Sequence, residues 1–348
     1  MTATAPVTER PAKKPKREQR FDEGTGRLAA TLLSPTLLVL AVVVLFPIIS
    51  ALRESLFTSG TRLDENGFIV KGSTFVGLDN YLDIFRGETG DRFWNAFYNT
   101  TFFTVVCVVL ETVLGVAMAL IMHKAFKGRG LVRASILVPW AIPTVISALL
   151  WKWIFQADGI ANTLLGSQIL WSTEGWQSKL SVVIADTWKT APFIGLLVLA
   201  GLQTIPAEVY EAAKVDGANA WKTFTRITLP LVKPALLVAV LFRILDTLRI
   251  FDLPFVLVGQ HKNSVETLSM LAYDEASNVR FGPAAAYATV LFVYVAVVAY
   301  LFVKILGADV IGEARVKKPG GGGGRRKKRE VQQAPGVAIG VTASGGGN

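Results

Sequence analysis

The chain has 348 residues, 51% of them hydrophobic, and a mean hydropathy of +0.44. That is too apolar for a soluble protein of this length, and several windows hold roughly 20 mostly apolar residues, enough to cross ~30 Å of hydrocarbon. The net charge of +10 sits in the two tails and one loop, the distribution of cytoplasmic segments facing anionic lipid, and not that of a nucleic-acid surface.

Residues 1–27 are polar and basic and read as a disordered cytoplasmic tail. Six apolar spans follow: Leu28–Leu56, Ala96–Met122, Leu131–Phe155, Ser181–Leu202, Leu229–Val258 and Pro283–Leu306. The first is too long for a signal-peptide core and lacks a small-x-small cleavage site, so it reads as an uncleaved span. Pro35 and Pro47 are expected to kink it. Lys124, Lys127, Arg129 and Arg133 fill the second loop, and after the last span the glycine run Gly320–Gly324 is followed by "RRKKRE". This Lys/Arg bias places both termini and the Val209–Pro234 connection inside. The loops Phe57–Asn95, Gln156–Leu180 and Gly259–Gly282 are then outside. Residues 28–310 form one all-α membrane domain, and 311–348 a second basic cytoplasmic tail.

Cys107 is the only cysteine, and His123 and His261 are far apart in sequence. No disulfide or cysteine metal cluster is therefore expected. The chain contains no Gly-Lys-Ser or Gly-Lys-Thr to end a phosphate-cradling loop. It also has no His-Glu-x-x-His and no nucleophile elbow, so it is expected to be neither an enzyme nor its own energy source.

The connection "VYEAAKVDGANAWKTFTRITLPLVKP" is longer than a turn requires. Pro206 suits a helix start, and Glu208 and Glu211 lie near the positive end of its dipole. Ala212 and Ala213 give a low profile, and Asp216-Gly217 ends the helix. A second short helix carries Trp221, Phe224 and Ile227 on one stripe. On physics alone this is either a hairpin lying on lipid or a docking surface for another protein.

Glu211-Ala212-Ala213, three residues, Gly217, nine residues, Ile227, then Leu229-Pro230 resembles the EAA loop of ABC importer permeases. "LFPIISALRESLF", "FVGLDNYLDIF", "LVRASILVPWAIPTVISALLWKWIF" and "RIFDLPFVL" resemble its carbohydrate branch, which includes maltose, trehalose and glycerol-phosphate permeases. The likeness spans roughly Leu28–Leu306. It implies a type I importer fold in a bacterial inner membrane. It also implies that Glu211, Ala212, Ala213, Asp216 and Gly217, within residues 206–230, couple the spans to a cytoplasmic ATPase. Implied partners are a second permease chain, two ATPase subunits that bind the ATP and Mg, and an extracytoplasmic sugar-binding protein. This chain needs no cofactor of its own. The large subunit of the maltose importer carries an inserted domain in its first outside loop; here that loop is short.

Ionisable groups inside a span are costly and point to function. Asp186 and Lys189 lie three apart on one helical face, and "FRILDTLRIFDLPF" holds Arg243, Asp246, Arg249 and Asp252. Asp186 could pair with Lys189, and Asp246 with Arg249. Glu111 stands alone in its span, and Lys152 lies near the end of the third; both read as structural. By its place relative to the EAA loop, the resemblance puts Asp186, Lys189, Asp246 and Arg249 on the sugar path, where the maltose subunit uses mainly amides and aromatics. Phe193 and Phe242 would stack on a pyranose. The substrate class this implies is an α-linked disaccharide such as trehalose or maltose. The alternatives are glycerol-phosphate or a polyol, or a proton-coupled sugar carrier with no ATPase.

Overall fold

The structure is a computed structural model that describes residues 22–63 and 69–306. Of the two tails read from the sequence, only 22–27 are among these residues, and they are helical rather than disordered.

Helix α1 (Asp22–Leu40) passes through a π-helical turn, Ala41–Leu45, into α2 (Phe46–Glu54). Pro47 lacks an N–H and its ring crowds the carbonyl four residues back. That residue, Val43, lies in the π turn, which opens the backbone to admit the proline. The loop that follows contains an antiparallel hairpin of β1 (Phe57–Leu63) and β2 (Ile69–Phe75), with Phe57 opposite Phe75. Helix α3 (Asp79–Ile84) ties the hairpin down: Asn80 Nδ2 donates to the carbonyls of Ser55 and Phe57, 2.8 Å each. Gly282 is required here, because a Cβ there would lie 1.9 Å from the Phe57 carbonyl oxygen.

Helix α4 (Gly87–His123) is the second span. The third span, expected as one helix, is broken into α5 (Arg129–Ala141) and α6 (Thr144–Ile154), which meet at 95°. Ile142 precedes Pro143, and that position disfavours helical backbone; its ψ is 133°. Helix α7 (Ile160–Leu165) lies in the next loop, and α8 (Trp176–Leu202) is the fourth span. It is the central one, with 72% of its most apolar window buried.

The EAA-like connection holds α9 (Ala207–Val215) and α10 (Ala220–Thr223), then a second π turn, Phe224–Thr228, just before Pro230. Helix α11 (Leu229–Thr247) is shorter than the expected fifth span. The chain turns after Thr247, and α12 (Asp252–Leu257) forms a separate element packed on α6 and α8. The expected outer loop 259–282 contains a packed helix, α13 (Leu268–Ser277), before α14 (Phe281–Leu306).

Helices in lipid gain little from hydrophobic transfer, so small residues that allow close packing hold them together. Gly115 on α4 and Gly195 on α8 do this. A Cβ on Gly115 would lie 2.8 Å from the side chain of Ile194, and one on Gly195 would lie 3.2 Å from the Gly115 carbonyl oxygen. Gly201 does the same for α8 against Ala235 of α11, at 2.7 Å. On the side of α4's N-terminus, Arg92 bonds both carboxylate oxygens of Glu266, at 2.9 and 2.6 Å, and Asp274 at 2.8 Å.

Candidate functional site

The α4–α8 crossing sets the register of the charged groups. Glu111 lies one turn before Gly115, and Asp186, Thr190 and Ile194 fall on one face of α8. An apolar cluster containing Phe103, Cys107, Val182 and Ala185 lies on one side of these groups. Another, with Ala119, Met122, Ile194 and Val198, lies on the other. Between them sits a polar layer that neither cluster can hydrate, so its members must satisfy one another.

Arg243 of α11 is the hub of that layer. Its Nε and Nη2 donate to the two oxygens of Glu111, the second at 2.9 Å. Nη2 also donates to Asp186, and Nη1 to Asp246, each at 2.5 Å. Thr190 Oγ1 adds a 2.5 Å bond to Glu111. The side chains of Arg243, Glu111 and Asp186 are 3%, 0% and 7% exposed, whereas Asp246 is 68% exposed. Arg243 therefore shares its charge among three carboxylates, one of which faces open space.

This pairing differs from both pairs open in the sequence. Asp186 bonds Arg243 rather than Lys189. Lys189 Nζ donates to the Ile142 carbonyl at 3.0 Å, capping α5 at the break in the third span. A cation at a helix C-terminus is favourable. Arg249 does not pair with Asp246: its Nε bonds the Leu245 carbonyl at 3.1 Å, and the side chain is exposed. Lys152 bonds the Val256 carbonyl, joining α6 to α12. Glu111, read as structural, and Arg243, open between an ion pair and a functional role, form the centre of the charged layer. The missed signal was helical spacing: Glu111, Gly115, Ala119 and Met122 make one buried stripe that points Glu111 inward.

Two adjoining cavities open on this layer. One, of about 170 Å³, is polar and lined by Asp186, Lys189, Asp246, Arg249 and Asp252. The other, of about 420 Å³, shares Trp140 with it and adds Phe193 and Phe242. Trp140 and Phe193 stack at 5.8 Å, and Phe242 is exposed. Aromatic faces beside hydrogen-bonding groups are the usual furniture of a small-ligand site. All six residues placed on the path by the resemblance thus line one or both cavities. Cys107, Glu111 and Asp186 bring potential ligand atoms within 4.8 Å of one another. Both carboxylates are already engaged by the Arg243 guanidinium, whose positive charge beside them opposes a cation, so this set does not fit a metal.

The α9–α10 turn is a second candidate site. Ala218 N–H bonds the Ala213 carbonyl at 2.9 Å, and Gly217 N–H the Lys214 carbonyl at 3.1 Å. This is a Schellman cap, and Gly217 supplies the left-handed residue it needs, at φ +71°. Asn219 caps α10 by accepting from the Lys222 N–H at 2.8 Å. Glu211, Ala212 and Asp216 are exposed, as are Val215 and Trp221 at 88% and 71%. Ala213 is buried against its own chain, so the low profile expected of both alanines is offered outward by Ala212 alone.

The profile described as "Binding-protein-dependent transport system inner membrane component" matches residues 111–312. The chain is 38% identical over 286 residues to the trehalose/maltose transport system permease protein MalF of Thermococcus litoralis, covering 80% of this chain and 94% of that one. It is 40% identical over 286 residues to the trehalose transport system permease protein SugA of Mycobacterium tuberculosis, covering 81% and 89%. A crystal structure of a bacterial ABC transporter involved in the import of the acidic polysaccharide alginate superposes with a TM-score of 0.67 at 23% identity, over 84% of this chain and 97% of that one. The chain therefore belongs to the binding-protein-dependent transport system inner membrane components: it is a multi-pass transport subunit with the type I ABC importer permease fold, and not an enzyme.

Proposed function

We propose that the chain is a permease subunit of an ATP-driven importer of an α-linked disaccharide, trehalose or maltose. It forms half of the path, and a second, different permease forms the other half. An extracytoplasmic binding protein delivers the sugar. The observation that carries this reading is the cavity pair beside Arg243, where Asp246 and Arg249 face open space next to Phe242 and the Trp140–Phe193 stack. Sugar hydroxyls both donate and accept, so a carboxylate and a guanidinium bind them well. The aromatic faces cover the apolar side of a pyranose. The relatives named for trehalose and maltose, at 38% and 40% identity, support the choice of sugar.

Coupling to two cytoplasmic ATPase subunits runs through α9 and α10. Glu211, Ala212 and Asp216 meet the ATPase, Gly217 sets the turn, and Ala213 seats the helix on the spans. The Schellman cap supports this role, because a turn that transmits force must not refold under it.

The test is uptake of labelled trehalose and maltose by cells with and without this chain. Uptake should disappear with the chain and should stop when ATP is depleted while the proton gradient is maintained. Uptake that persists without ATP would assign the protein to proton-coupled carriers instead.

A further inference from the structure

A cavity of about 500 Å³, separate from the sugar path, lies where α9 and α10 meet the ends of α4 and α8 and the start of α11. Its walls are apolar, with Leu120, Leu202 and Phe224 among them. His123, Lys124 and Lys214 are also in the lining, and no carboxylate is. Lys124 and Lys214 are exposed, and neither side chain has a hydrogen-bond or ion-pair partner among the described residues. Arg133 already takes the Met122 carbonyl at the end of α4, at 2.9 and 2.6 Å, so that carbonyl does not engage the lysines. The Tyr210 ring lies 6.4 Å from that of His123, and its hydroxyl has no hydrogen-bond partner among the described residues.

A sugar or a free nucleotide would leave these walls unpaired. A purely apolar ligand would leave the ammonium groups unpaired. An anionic amphiphile satisfies both, and the cavity lies at span ends, where lysines meet headgroups. We propose that this cavity is a regulatory site for an anionic phospholipid of the adjoining leaflet. Lys124 and Lys214 hold the phosphate, Tyr210 donates to it, and the first acyl segment lies along Leu120, Leu202 and Phe224. Because α9 and α10 form one wall, an occupied site braces the coupling turn against the spans. The lipid assignment does not depend on the sugar reading, and its regulatory effect rests on the coupling role proposed for α9 and α10.

The test is native mass spectrometry of the full-length permease complex, released from membranes and supplied with phosphatidylglycerol or phosphatidylcholine. The wild type should retain phosphatidylglycerol selectively, and Lys124→Gln/Lys214→Gln should lose that retained lipid. Lys222→Gln, on the same loop but outside the cavity, should keep it. Folding is checked by the unchanged assembly of each variant in the same spectra. Retention by the double variant, or equal loss in Lys222→Gln, would overturn the site. In phosphatidylcholine vesicles, phosphatidylglycerol should stimulate ATP hydrolysis by the wild-type complex but not by the double variant. Stimulation by inorganic phosphate alone would overturn the lipid assignment.

Discussion

At the residue scale, the charged layer divides into groups buried between the helices and groups that face the adjoining cavities. Arg243→Met would leave Glu111 and Asp186 buried and unpaired, and breaking a buried pair in this way costs about 3–5 kcal/mol. The expected outcome is loss of the protein from the membrane, measured by immunoblot and by assembly with its partners. Asp246→Asn is different, because that side chain is 68% exposed and its amide can still accept from Arg243. Normal membrane levels with greatly reduced sugar uptake are expected. A fall in level as large as that of Arg243→Met would return Asp246 to a structural role. The sequence showed that these charges matter but not how they pair. Glu111 and Arg243 are 132 residues apart, and nothing local links them. The i,i+3 spacing of Asp186 and Lys189 suggested a partnership, but Lys189 is committed to the opened carbonyl at the Pro143 break.

At the element scale, the straight spans and the breaks between them differ in how readily the sequence shows them. The spans were legible because twenty apolar residues in a row have few other uses. The 95° break between α5 and α6 was not, because apolar content runs through it without interruption and only Pro143 marks it. The hairpin β1–β2 was missed for the opposite reason: its segment is largely polar, and the Gly60–Gly72 pair in mid-strand weakens a strand pattern. The EAA-like motif was fully legible, but the face each alanine shows was not. Because Ala213 is 4% exposed and Ala212 is exposed, the two sites should fail differently. Ala213→Phe is expected to wedge α9 off the spans and lower the amount of folded permease. Ala212→Phe should leave the permease inserted and abolish copurification of the ATPase. Identical behaviour of the two variants would refute this division of the helix. At Gly217 a Cβ meets no atom within 4 Å, so Gly217→Ala should cost only about 1–2 kcal/mol of backbone strain at φ +71°. Gly217→Pro should abolish coupling, because proline cannot adopt that φ.

At the scale of the whole molecule, the Lys/Arg bias puts the α4–α5 loop inside and the α7 loop outside. Cysteine labelling tests this in a Cys107→Ser background, and Cys107 is itself fully buried. Leu164→Cys, at a position 82% exposed, should label in intact cells, and Lys127→Cys only after permeabilisation. Labelling of Lys127→Cys in intact cells would invert the orientation and with it the placement of the coupling turn. The central claim is that energy enters at α9–α10 while sugar passes beside Asp246 and Arg249. The most direct measurement follows ATP hydrolysis and trehalose uptake together, in vesicles holding the complete transporter with an Asp246→Asn/Arg249→Gln permease. The expected result is hydrolysis still stimulated by loaded binding protein, with uptake lost; full uptake by the same vesicles would contradict the account.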